Sequence, residues 1–172
     1  RELIAPSKAR NFALSEWLSN SSQLIIEGAG CFDQYGVWEQ IPAFLTSRVE
    51  LENGGFLLIE PTSAFVAVDI NTGSDVSYAA ALTTNLFAMR ELPKQLEVRG
   101  LGGKIVIEFA PISKSDRFKV ENNLKQALAL YKSECTVVGW TKLGNLELQK
   151  KRYKHTIFEI LRHDDRFYPK VS

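Results

Sequence analysis

Apolar and polar residues alternate most clearly in the middle of this chain. In Gly54-Gly55-Phe56-Leu57-Leu58-Ile59-Glu60 and Phe65-Val66-Ala67-Val68-Asp69-Ile70 the pattern predicts two strands, over 54–60 and 65–70. Alternation sends Val66, Val68 and Ile70 to one face and leaves Asp69 on the other. The glycine-bounded run Gly102-Gly103-Lys104-Ile105-Val106-Ile107-Glu108-Phe109 predicts a third strand over 103–109. Shorter strands are expected at 23–27, 136–140 and 145–148.

Helical spacing fills the gaps. Leu86, Met89, Leu92 and Leu96 recur at helical intervals and predict a helix over 83–97, with Pro93 expected to kink or end it. Val120, Leu124, Leu128 and Tyr131 line one face of a predicted helix over 115–132. Further helices are expected over 7–19, over 37–47, where Pro42 limits the run, and over 156–161. Residues 164–172 read as a loosely ordered tail. Strands interleaved with helices define an α/β class, a mixed sheet covered by helices. The chain is expected to form a single α/β domain over 1–172. Within it, 1–30 is an N-terminal helix-strand element and 156–172 a C-terminal helix and tail.

Chemistry concentrates at strand ends. Asp69 and Asn71 lie on one side of a strand that runs into the turn Asn71-Thr72-Gly73. Glu108 ends the later strand. Were the two strands neighbours, Asp69 and Glu108 would repel when both are ionised, and a hard cation relieves that repulsion. The structural alternatives are an Asp that opens a turn and caps the next helix, and a Glu that anchors the following loop.

Composition narrows the field. The chain has 172 residues, 45% of them hydrophobic, and a formal net charge of +1. That length supports one sizeable core, and the charge gives no global field for nucleic acid, so any RNA site must be local. Cys31 and Cys135 match no metal spacing and suit free thiols in a reducing cytoplasm. No apolar run is long enough to span a membrane, and no signal peptide is evident. The first residue is Arg rather than Met, as in a fragment or a processed product. The local cluster is Lys150-Lys151-Arg152-Tyr153-Lys154-His155, four cations with two rings. It suits phosphates and unpaired bases, or else is a solvated charge run. Lys114, Arg117 and Lys119 precede or open a helix, where cations oppose the dipole; they form either a mildly unfavourable surface or a phosphate-facing edge.

Six stretches in order then resemble the ribonuclease E/G family, over about residues 31–152. They are Phe32-Asp33-Gln34-Tyr35-Gly36-Val37-Trp38-Glu39-Gln40-Ile41; Gly54-Gly55 with its strand; Val68-Asp69-Ile70-Asn71-Thr72-Gly73; Thr84-Asn85-Leu86; Gln95-Leu96-Glu97-Val98-Arg99-Gly100-Leu101-Gly102-Gly103 with the strand to Phe109; and Leu143-Gly144-Asn145-Leu146-Glu147-Leu148-Gln149-Lys150-Lys151-Arg152. The resemblance implies the catalytic, DNase-like subdomain of that family. It implies that Asp69 and Glu108 hold a catalytic Mg²⁺, with Mn²⁺ as a substitute, and that Asn71 stands beside them. Lys142 falls where the family carries an Arg near the RNA backbone. Arg99, Lys150, Lys151 and Arg152 complete the expected RNA contacts.

The chain also departs from the family's pattern. The family usually has Asp at the position of Glu108, and Pro111 stands where another acidic residue often lies. Ser77-Tyr78-Ala79-Ala80 replaces an acidic pair in a shorter segment. The zinc-binding Cys-x-x-Cys expected after Arg152, the OB-fold insertion and the 5′-end sensor are not found in this sequence. Two functions follow as expectations. One is a Mg²⁺-dependent endoribonuclease core for single-stranded RNA, serving RNA processing or decay in the cytoplasm, with self-association left open. The other is an RNA-binding or assembly module of the same family with a degraded site.

Overall fold

The computed structural model describes residues 3–5, 25–27, 30–131, 133–152 and 155–167. The chain divides into two units, Arg1–Ala43 and Phe44–Ser172. In the first, β1 (Leu3–Ala5) pairs in parallel with β2 (Ile25–Glu27), and a short helix α1 (Cys31–Gln34) leads into α2 (Val37–Leu45). Phe32 and Trp38 meet edge to face at 5.2 Å. Pro42 lies inside α2. The helix expected over 7–19 lies outside the described residues.

The second unit is an α/β fold, as the alternation of strands and helices predicts. Its strands are β3 (Arg48–Glu50), β4 (Phe56–Pro61), β5 (Val66–Asn71), β6 (Gly103–Glu108), β7 (Cys135–Trp140) and β8 (Leu146–Lys150). They form one mixed sheet in the order β3-β4-β5-β6-β8-β7. Only β5 and β6 are parallel, joined by helix α3 (Tyr78–Val98); the other neighbours are antiparallel. Helix α4 (Arg117–Leu130) connects β6 to β7, and the short α5 (Ile157–Leu161) follows β8.

One face of the sheet carries the core. Leu57, Ile59, Val66, Val68, Ile70, Ile105, Ile107, Leu146 and Leu148 are buried there with Met89, Leu92 and Leu96 of α3 and Val120, Leu124 and Leu128 of α4. Each such side chain contributes about 1.5–3 kcal/mol by leaving water. Helix α3 starts five residues earlier than the periodicity predicts, because Ser77 caps it and accepts the Ala80 N–H at 3.2 Å. The expected break at Pro93 does not occur: α3 runs on to Val98, and Pro93 is buried between the core residues Leu92 and Leu96. Tyr131, expected on the buried face of α4, caps the helix and is exposed.

Helix α3 also holds the loops at one end of the sheet. Asn85 is fully buried; it donates to the Ala110 carbonyl at 3.0 Å and accepts the Ala110 N–H at 3.1 Å. Its neighbour Thr84 accepts from Asn53 at 2.7 Å, in the turn before β4. Asn85→Ala strands both backbone groups of Ala110 in the interior. The expected loss is about 2–4 kcal/mol, read as a lower urea midpoint at unchanged slope. A loss below about 0.5 kcal/mol would show that this clamp is not needed for stability.

Candidate active site at the carboxyl ends of two parallel strands

The parallel pairing sets Val66 opposite Ile105, Val68 opposite Ile107 and Asp69 opposite Glu108. Since Val68 and Ile107 point into the core, Asp69 and Glu108 share the other face, on strands about 4.8 Å apart. Asp69 is half-buried and Glu108 exposed. Asn71, two residues on and on the same face, donates its amide to Asp69 Oδ2 at 2.8 Å. The expected juxtaposition is therefore present. It lies at the carboxyl ends of parallel strands, where open α/β sheets bind ligands.

Glycines let the surrounding turns interlock. A Cβ on Gly55 would lie 2.5 Å from Thr84 Cγ2 and 2.8 Å from the Asn71 carbonyl oxygen. At Gly73, whose φ is +73°, a Cβ would meet the Gly54 carbonyl oxygen at 2.5 Å. The turn before β4 thus packs directly against the turn after β5, and the backbone carrying Asn71 has little room to move. On the other flank, Asp116 ties down the loop after β6. It accepts from Lys119 at 2.8 Å, Tyr78 at 2.6 Å and Ser113 at 2.9 Å. These bonds, led by Lys119 and followed by Tyr78 and Ser113, hold the Asp116 carboxyl down at about 2.

The open face is acidic. Alternation places Glu60, Asp69, Glu108 and Glu147 on it, with Lys104 and Arg48 of the same face in opposition. Arg48 is committed elsewhere, paired with Glu50 and stacked on Phe56 at 3.5 Å. The donors Asp69 and Glu108 are hard oxygens, which suits Mg²⁺. Among the described residues no three His, Cys, Asp or Glu groups converge. An ion here would complete its shell from water and phosphate, as Mg²⁺ characteristically does.

The expected cations divide between the two ends of the sheet. Lys142 is exposed in the β7–β8 turn, which leads into Leu146, the register partner of Ile107; it stands at the carboxylate end. The other four stand at the opposite end, where Lys150 pairs with Gly103, about 16 Å along β6 from Glu108. Two of them are corrected as RNA contacts. Arg99 is 1% exposed and donates to Gln95 Oε1 and the Thr46 carbonyl, so its charge holds loops together. Lys150 has a fully buried side chain 3.5 Å from Glu97. Burial pushes its ammonium below the usual lysine value while Glu97 pulls it back up. The pattern of β8 accounts for Lys150: it follows Leu146 and Leu148 on the inward face. Lys151 and Arg152 remain exposed, and Lys151 pairs with Glu134 at 3.0 Å.

The same end explains the glycines of Arg99-Gly100-Leu101-Gly102-Gly103. A Cβ on Gly100 would sit 2.7 Å from the His155 carbonyl oxygen, and one on Gly102 2.6 Å from that of Lys151. These glycines serve backbone packing. The sequence reading missed Thr84 and Asn85 as the residues that hold the site's loops. Two polar residues inside an otherwise apolar stripe were the available signal.

The chain matches the family model described as "Ribonuclease E/G family" over residues 7–153. It is 36% identical over 135 residues to "Ribonuclease G" of Escherichia coli strain K12, covering 76% of this chain. It is 36% identical over 121 residues to "Ribonuclease E" of a Nostoc species, covering 67% of it. A third relative, "Ribonuclease E/G-like protein, chloroplastic" of Arabidopsis thaliana, is 32% identical over 147 residues, or 81% of this chain. The chain belongs to the ribonuclease E/G family. The aligned stretches span 28%, 18% and 15% of those relatives' lengths.

Two measurements test these placements. Lys150→Ala should cost about 3 kcal/mol, because Glu97 keeps its charge without its partner, whereas Lys151→Ala should change stability by less than about 0.5 kcal/mol. Equal effects in chemical denaturation would contradict the burial of Lys150. For Asp116, the depressed folded value means its stabilisation is complete above the ordinary carboxylate value of 3.8 and is lost as pH falls towards 2. The stability gap between wild type and Asp116→Asn should be constant above about pH 5 and close between 3.8 and 2. A gap that does not depend on pH would mean that the charge of Asp116 contributes nothing.

Proposed function

We propose that this chain carries the metal-binding catalytic core of an endoribonuclease that cuts single-stranded RNA. The observation behind this reading is the register pair Asp69 and Glu108, on one face of parallel strands, with Asn71 hydrogen-bonded to Asp69. Family membership supports the reaction class, and names such as "Ribonuclease G" are borne by relatives much longer than this chain.

Asp69 and Glu108 are the residues that would hold Mg²⁺ or Mn²⁺. A bound ion of this kind supplies Lewis acidity at a phosphate oxygen and a more acidic water. Asn71 orients the Asp69 carboxylate by donating to Oδ2, leaving Oδ1 free of that bond. Lys142, at the same end of the sheet, neutralises a phosphoryl oxygen of the substrate. An acidic sheet face repels an RNA backbone, so cations at its rim and a divalent ion held by Asp69 and Glu108 would make the approach favourable. Single strands are the expected substrate, since a duplex holds its backbone in A-form and hides its bases. The free thiols of Cys31 and Cys135 fit a reducing compartment such as the cytoplasm.

Glu108 favours a second reading. Its extra methylene carries the carboxylate more than an ångström further than the Asp usual in the family, and Pro111 supplies no third acid. That combination suits a module that binds RNA without cutting it.

Cleavage of a labelled single-stranded RNA separates the two. The enzyme should require Mg²⁺ or Mn²⁺ and lose on the order of a hundredfold or more in rate with Asp69→Asn. Glu108→Asp should keep or raise the rate. Full cleavage in EDTA, or by Asp69→Asn, would move the chemistry elsewhere. RNA bound but left intact by wild type and Glu108→Asp alike, with either metal, would establish the binding module.

A further inference from the structure

Resting on the RNA reading above, we infer that Arg117 is a phosphate-binding residue at the carboxylate end of the sheet and grips the RNA backbone together with Lys142, on the helix-covered side of the rim rather than on the face of Asp69 and Glu108. Three cations precede or open α4, and the structure distinguishes them. Lys119 is paired with Asp116 at 2.8 Å. Lys114 is exposed before the helix. Arg117 is half-buried, its guanidinium carbon 4.7 Å from the centroid of the Trp140 ring.

The stack is braced from both sides. Trp140 donates its indole N–H to Glu121 at 3.0 Å and packs on Phe109, 5.1 Å between centroids. Phe109 directly follows Glu108 but packs on the core, so the stack lies at the same end of the sheet as Glu108 and on the opposite face. A terminal nitrogen of Arg117 lies only 2.9 Å from where a Gly144 Cβ would stand, and Gly144 donates its N–H to Thr141 within the turn that bears Lys142. Arg117 therefore reaches the hairpin turn that bears Lys142, at the carboxylate end of the sheet. Arg99, Lys150, Lys151 and Arg152 lie at the other end.

Charge bookkeeping points to an anion. Among the described residues no carboxylate pairs with Arg117, and its Nε is buried without an acceptor. The acids nearest in its own helix are engaged: Asp116 with Lys119, Tyr78 and Ser113, and Glu121 with Lys125 and Trp140. A half-buried cation with no counter-charge is costly, and a phosphate offsets that cost with fork-like hydrogen bonds. Contact with the Trp140 ring holds the guanidinium in place in advance, so less side-chain entropy is lost on binding.

The test uses the whole chain and a short oligouridylate. Arg117→Met keeps the apolar stem over Trp140 and removes the charge. It should weaken binding by about tenfold or more at low salt. The slope of log affinity against log salt should flatten by about 0.7, one single-strand phosphate. Arg117→Lys, which restores the charge without the fork, should recover part of both. In the wild type, the Arg117 Nε–H resonance should shift as the oligonucleotide is added, which tests the site even if a variant fails to fold. Wild-type binding with an unmoved resonance, or with unchanged affinity and slope in a folded Arg117→Met, would reduce Arg117 to a cover for Trp140 and leave the RNA reading standing. A wild type that binds no RNA at all would overturn both.

Discussion

Register between two parallel strands is the constraint on which this molecule turns. Val66, Val68 and Ile70 on β5, with Ile105 and Ile107 on β6, are all at most 4% exposed and must face α3 and α4. Side chains alternate along a strand, so whatever lies between those residues must face the other way. A slip of one residue in β6 would bury Glu108 and expose Ile107. The hydrophobic effect, acting on residues with no chemistry of their own, thereby sets two carboxylates side by side. Their mutual repulsion is small beside the several kilocalories per mole of apolar burial that enforces it.

Polar interactions then refine what packing fixes. At the carboxylate end the turns interlock through Gly54, Gly55 and Gly73, and α3 reaches across with Thr84 and Asn85. At the other end Gly100 and Gly102 pack against the backbone of His155 and Lys151. The two ends differ in charge as well as in shape. One gathers acids on an open face, with Lys142 in the adjoining turn and Arg117 on the helix-covered side of the same end. The other sinks Lys150 and Arg99 into the interior as ties between segments.

The strands and helices of the second unit were legible because alternation and helical spacing report burial directly. The Asp69, Asn71 and Glu108 arrangement was legible for the same reason, with family resemblance supplying the pairing of two strands distant in sequence. Short elements escaped: β3 is only Arg-Val-Glu, and its apolar neighbour Leu51 lies beyond the strand. The start of α3 escaped because capping by Ser77 outweighs the weak apolar signal of its first turns. Lys150 and Arg99 were misread since composition groups them with exposed cations. Only the tertiary packing turns them inward, where Glu97 and Gln95 meet them. Arg117 could not be separated from its neighbours by sequence, because its distinction is the ring of Trp140, over twenty positions away on an edge strand.

The clamp between Asn85 and Ala110 bears on how the open face meets a ligand. Both main-chain groups of Ala110 are held by a buried side chain of the long central helix, two residues past Glu108. For that amide to exchange its hydrogen with solvent, this buried bond must break, so its exchange should be slower than that of an open loop amide. The loop that follows Glu108 is thus tied to the buried core rather than left as a loose fringe. It acts as a preformed template, and the conformational cost of a snug encounter falls on the incoming strand.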